Sequence, residues 1–153
     1  MAAALAGCGE EGSGAPAPAQ VTKPQYIAAG DEICAEGDRE LAREGKRTLR
    51  QLGSEDPAGG EVERFAEETV IPVTEMRIAD LRALEPPAGD EQQVAEIFDA
   101  AERSLDEIRD DPSLIEKAEE VFEPASRLAA AYGFMDCAGR GSAIETLTGD
   151  ESP

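Results

Sequence analysis

At 153 residues the chain has length for one domain with an ordinary core and none for a second. Its 34 acidic residues against 14 basic give a net charge of −20, which argues strongly against duplex DNA, RNA or an anionic membrane surface as a partner. Histidine is absent, removing the commonest general base and transition-metal ligand together; with 4% aromatic residues and no Trp, any core must be packed from Leu, Ile, Val and Ala, which suits helices.

Residues 1–23 read as a truncated signal and lipobox followed by a disordered tether. Leu5-Ala6-Gly7-Cys8 resembles a bacterial lipobox, in which small residues precede a cysteine that is acylated after signal cleavage. Only Met1 to Ala4 precede it, with no Lys or Arg, so the basic and apolar regions of an export signal are missing. Gly9 to Lys23 has the Gly, Ser, Ala and Pro content of a tether that cannot bury enough apolar surface to order itself. A coil of that length spans roughly 20 Å on average, enough to hold a domain clear of a bilayer to which Cys8 is lipid-anchored. No stretch reaches the length of a membrane-spanning helix.

Residues 24–137 carry four helical segments. In the first, from Pro24 to Leu52, Ile27, Gly30, Cys34, Gly37, Leu41, Gly45, Thr48 and Leu52 recur every three or four residues and form a thin apolar face. Its glycines each cost about 1 kcal/mol relative to Ala in a helix, either because a neighbour approaches closely or through sequence drift, with drift slightly favoured. Gly53 to Gly60 is a turn, with Pro57 ready to open the second helix. The second runs through Val62–Leu84 and ends before Pro86-Pro87. Val62, Phe65, Ala66, Val70, Val73, Met76, Leu81 and Leu84 form its main stripe and Ile71 and Ile78 lie opposite, so the helix is apolar on two sides and expected in a core, and Pro72 should kink it. The third opens on a capping box of Asp90 and Gln93, followed by an amphipathic stripe of Val94, Ile97, Phe98, Ala101, Leu105 and Ile108. The fourth begins at Asp111-Pro112, an N-cap with proline at the first helical position. It buries Ile115, Ala118, Phe122, Ala125, Ala129 and Tyr132, with Leu114, Val121 and Leu128 beside them; Pro124 kinks or divides it, and Gly133 stops it. Residues 138–153 read as a disordered tail with at best a turn around Ile144 to Leu147. The expected fold is all-α, an antiparallel up-down-up-down four-helix bundle with kinked second and fourth helices.

If Cys8 carries the lipid, Cys34 and Cys137 remain, and in an exported protein such a pair is most simply a disulfide. In an up-down-up-down bundle the start of the first helix and the end of the fourth lie together. The four residues after the fourth helix reach roughly 13 Å, about the distance of Cys34 along the first helix at 1.5 Å per residue. Two buried thiols in a cytosolic protein and a reactive Cys137 are the competing readings. The adjacent Asp136 and the lack of histidine weigh against the last.

Tyr26, Asp31 and Cys34 on the first helix, Leu81-Arg82-Ala83-Leu84 before Pro86-Pro87 and Gly89-Asp90, and the closing Tyr132-Gly133 with Cys137 give the chain, with its lipobox and spacer, a likeness: it resembles the small helical lipoproteins of GC-rich Gram-positive bacteria. Eleven Arg against three Lys fit such a genome. The resemblance implies a place outside the cytoplasm, on the outer face of the cell membrane, and implies no activity.

Arg77 and Asp80, three apart inside the apolar stripe, are close enough to pair and are the candidate polar patch of a ligand groove between helices. Glu67 with Glu68, and Glu116, Glu119, Glu120 and Glu123, are candidate oxygen ligands for hard cations, although no calcium loop is present and bundle metal sites normally include histidine. No nucleophile has a recognisable base or oxyanion arrangement. The reading is therefore a non-catalytic, envelope-tethered binding or scaffold module with no cofactor, whose partner is an envelope protein or a small ligand. The alternative is an acidic cation-binding module.

Overall fold

The computed structural model describes residues 20–52 and 59–139. Cys8 and the expected tether up to residue 19, residues 53–58 of the expected turn and the expected tail from 140 onward lie outside them, while Gly59 and Gly60 of that turn are helical. The described residues form a four-helix bundle with no strands. The first rod is α1 (Lys23–Leu52). The second joins α2 (Gly59–Phe65), a π-helical turn (Ala66–Val70) and α3 (Ile71–Ala83); the third is α4 (Glu91–Asp110). The fourth is a 3₁₀ segment (Pro112–Lys117) leading into α5 (Ala118–Tyr132).

Capping differs from expectation at the start of α4. Before α1, Gln25 Oε1 accepts the Thr22 backbone N–H at 3.0 Å and its hydroxyl at 2.8 Å, one half of a capping box. Asp90 stands at the N-cap of α4 but makes no capping bond, because its carboxylate accepts the Tyr132 hydroxyl at 2.8 Å instead. Asp111 caps as expected, accepting the Ser113 backbone N–H at 3.1 Å.

The second rod departs most from its sequence pattern. Met76, placed on the main stripe, is 53% exposed, whereas Ile71 and Ile78, placed opposite, are buried. The π turn explains the change. Ile71 N–H donates to Ala66 O, five residues back, and a turn with an extra residue rotates the downstream face by about 100°. The buried residues are Ala66, Ile71, Val73, Thr74, Ile78 and Leu81; apart from Val73 they run in one five-residue step and then the ordinary three and four. Pro72, which has no N–H and whose ring crowds the carbonyl four residues back, follows this wide turn directly. In the fourth rod the break in regularity falls at Lys117 and Ala118, and α5 runs unbroken through Pro124.

Two core clusters result. Near the start of α1, Tyr26, Cys34, Leu81, Val94, Ile97, Phe98, Ala129, Tyr132 and Phe134 pack together. The second cluster gathers Ile71, Ile78, Leu105 and Ile108, with Leu114 and Phe122 against them. The third-rod stripe is buried as its periodicity predicts, apart from the half-buried Ala101, while Leu128 of the fourth is 37% exposed. Ser104, 3% exposed, donates to Val121 O at 2.7 Å and ties α4 to α5. Helices α3 and α4 are further linked by Arg82 to Asp99 and Glu102 and by Arg109 to Glu75, exposed pairs worth about 0–1 kcal/mol each.

Two of the three glycines of α1, Gly30 and Gly37, are explained by close approach rather than drift. A Cβ on Gly30 would stand 2.5 Å from a ring carbon of Phe134, and one on Gly37 would stand 3.0 Å from Arg77 Cδ. Gly60 of α2 has nothing within 4 Å. Gly60→Ala is therefore expected to stabilise the fold by about 0.5–1 kcal/mol in urea unfolding.

Candidate functional site

The site is organised by how the chain leaves α5. Gly133, at φ +121°, takes a conformation open to glycine and strained for other residues, and turns the backbone toward α1. Phe134 then drops into the space over Gly30, buried against Tyr26 and Tyr132 with ring centroids 6.0 and 5.3 Å away. Lys23 Nζ lies 3.8 Å from the centre of the Tyr132 ring. Asp31, one residue beyond Gly30, accepts the backbone N–H groups of Met135, Asp136 and Cys137 at 3.0–3.2 Å. This clamp delivers Cys137 to Cys34, and the two form a disulfide with Cα atoms 5.1 Å apart. The order continues past Cys137: Ala138 packs on the core and Gly139 N–H donates to Asp136 O at 3.0 Å.

Oxidised, Cys137 is no free nucleophile, and the reactive reading falls. A partly buried disulfide closing most of the domain points to an oxidising, non-cytoplasmic compartment. Replacing Asp31 by Ala leaves three N–H groups without their acceptor. It is expected to cost about 2–3 kcal/mol in urea unfolding, with the disulfide still formed by thiol titration.

Beside the disulfide the four rods do not close completely. Helix α1 packs on α3, α3 on α4 and α4 on α5, but α1 and α5 meet only sparsely. A cleft of about 160 Å³ remains, walled by residues of all four rods and by the disulfide itself. Ile78, Phe98, Phe122 and Ala125 supply apolar wall; Thr74, Arg77, Ser126 and Asp136 supply its polar side chains.

Arg77 does not pair with Asp80. Its guanidinium Nη1 lies 2.7 Å from Asp38 Oδ1 on α1, with both side chains about four-fifths buried, at 20% and 17% exposure. The pairing exists because Arg77 lays its aliphatic stem across Gly37 and so reaches the next residue. Asp80 is exposed on the outer side, where it and Arg77 border a shallower groove of about 220 Å³ between α1 and α3. Asp38 and Asp136 are the site residues that periodicity does not reveal. The signal available for Asp38 was the glycine beside it on the buried face.

Burial raises the Asp38 carboxyl above its ordinary value of 3.8; Arg77 opposes this by charge and hydrogen bond, and the Asp136 charge adds to the rise. The folded state thus holds the Asp38 proton more tightly than the unfolded chain. Stability from this group is greatest below the ordinary value and falls as pH rises through the raised one. Removing Arg77 raises the carboxyl further. Arg77→Met is therefore expected to cost about 1–3 kcal/mol at pH 7 and less at pH 3, measured by urea unfolding at both. An equal loss at both would mean that Arg77 acts through packing alone.

The acidic residues named as cation ligands, Glu67, Glu68, Glu116, Glu119, Glu120 and Glu123, are all exposed. Among the described residues no three acidic or cysteine side chains converge as metal ligands. No described helix is long and apolar enough to cross a membrane. Compared with protein-family models, with curated proteins and with solved structures, the chain matches none.

Proposed function

We propose that the chain is a non-catalytic binding module tethered at the outer face of the cell membrane, held there by a lipid on Cys8 and presenting its helical bundle to a small ligand or an envelope protein. The Cys34–Cys137 disulfide carries the reading, because such bonds persist in oxidising surroundings. The sequence before α1 supports it. Gly9 to Lys23 has the composition of the spacer that an anchored domain needs, and α1 begins where that composition ends. The cleft supports binding, being a mostly apolar recess with a few converging polar groups.

The test is expression of the gene with its native upstream sequence in a Gram-positive host fed an alkynyl fatty acid. The label is expected on Cys8 by mass spectrometry, and the protein in the membrane fraction. Cys8→Ser should lose both. Unlabelled Cys8 in a protein that stays in the cytosol would end the proposal.

A further inference from the structure

We propose that the cleft beside the disulfide is a binding site for a small apolar cation: a hydrocarbon or aromatic body of about benzene size bearing one ammonium group, which the Asp136 carboxylate holds. The inference rests on reading the bundle as a binding module but not on the lipid anchor.

Size comes first. An apolar space of about 150 Å³ accepts benzene, and this cleft measures about 160 Å³. Close-packed interiors seldom leave such a space, and here its persistence has identifiable causes. Ala101, Ala125 and Ala129 stand on its walls, at positions where a leucine would fill it. The link from Gly133 to Cys137 joins α5 to α1 at one end, while the helices themselves meet only sparsely.

Charge selects the head group. The cleft and its border hold one guanidinium and two carboxylates. Arg77 is engaged by Asp38 at 2.7 Å, whereas Asp136 has no ion-pair partner among the described residues. The Asp136 backbone N–H is given to Asp31, which fixes the residue and leaves its side chain on the cleft wall. Burial chiefly, and the nearby Asp136 charge in lesser part, raise the Asp38 carboxyl despite its arginine. An anion would meet Asp136 and an arginine already neutralised. An ammonium would complete the balance, with Thr74 and Ser126 as polar neighbours.

The experiment is an amide NMR titration of the full, oxidised chain at pH 7 with benzylamine, benzyl alcohol and benzoate. Benzylamine is expected to shift the amides of Cys34, Ala101, Ala125 and Gly139 saturably. Benzyl alcohol should bind the same place at least tenfold more weakly, and benzoate should leave those amides unmoved. Asp136→Asn should bring benzylamine down to the level of the alcohol. Ala125→Leu, or Ala101→Leu should the first disturb the fold, should abolish binding with helicity unchanged. The proposal is overturned if benzoate or benzyl alcohol matches benzylamine, if Asp136→Asn changes nothing, or if no probe shifts those amides saturably. Because the purified chain needs no lipid, a failed titration leaves the anchor standing, and an unlabelled Cys8 leaves the cleft standing.

Discussion

Replacing both Cys34 and Cys137 by serine is expected to lower the unfolding free energy by about 4–5 kcal/mol. The bond spans a sequence separation of 103, and in the chain-entropy description a loop near that length restricts the unfolded chain by this much. Domains of this kind are stable by only about 5–15 kcal/mol in all, so the variant should sit near the edge of folding, with Tm lower by roughly 15–25 °C. Urea unfolding of the oxidised protein, the reduced protein and the double-serine variant checks it. The slope against urea should steepen when the bond is absent, because the freed unfolded chain exposes more surface. Reduced protein and variant should agree with one another. A loss under about 1 kcal/mol would mean that the Asp31 clamp and the aromatic packing hold the two ends together unaided.

Phe134→Ala should be nearly as severe, at about 3–5 kcal/mol, since the ring is 1% exposed and packs between Tyr26 and Tyr132. Its partner substitution is more informative. Gly30→Ala gains about 1 kcal/mol of helix propensity but sets a methyl 2.5 Å from the Phe134 ring. Overpacking of this sort costs about 1–3 kcal/mol, and in the native background the variant should be less stable on balance. Once Phe134→Ala has emptied the space, the same Gly30→Ala should become stabilising by about 1 kcal/mol. The change of sign, read from four urea unfolding curves, is the expected result. An identical effect of Gly30→Ala in both backgrounds would show that the ring does not require the glycine.

Where an element was regular, its sequence was enough. The third rod has no proline and an unbroken three-and-four spacing from Val94 to Ile108, and that stripe forms the inner face of α4. The second rod has Pro72, and periodicity counted straight through a proline assumes a turn of constant width. One wide turn over Ala66–Val70 was enough to bring Met76 out to solvent. Helix α4 starts at the expected N-cap, but the capping bond does not form, for a related reason. Local spacing marks Asp90 as a cap, but a hydroxyl 42 positions away competes for its carboxylate, and nothing near Asp90 in the chain announces it. Arg77 was recognised as unusual within an apolar stripe. Its true partner, Asp38, lies 39 positions away, beyond the reach of any rule about neighbours on one helix.

By itself, the sequence determined the composition-bound properties: an all-helical fold, no histidine chemistry, a strong negative charge, and a pair of cysteines suited to joining. These follow from residue types and short-range periodicity, which are the same in any tertiary arrangement. The tertiary structure alone decided that Gly30 and Gly37 make room for Phe134 and Arg77, that Asp31 captures the chain after α5, and that an apolar cleft, with a carboxylate that has no ion-pair partner among the described residues, is left beside the disulfide. Each depends on two segments meeting at a particular distance, and distance between remote segments is fixed only when the whole core has packed.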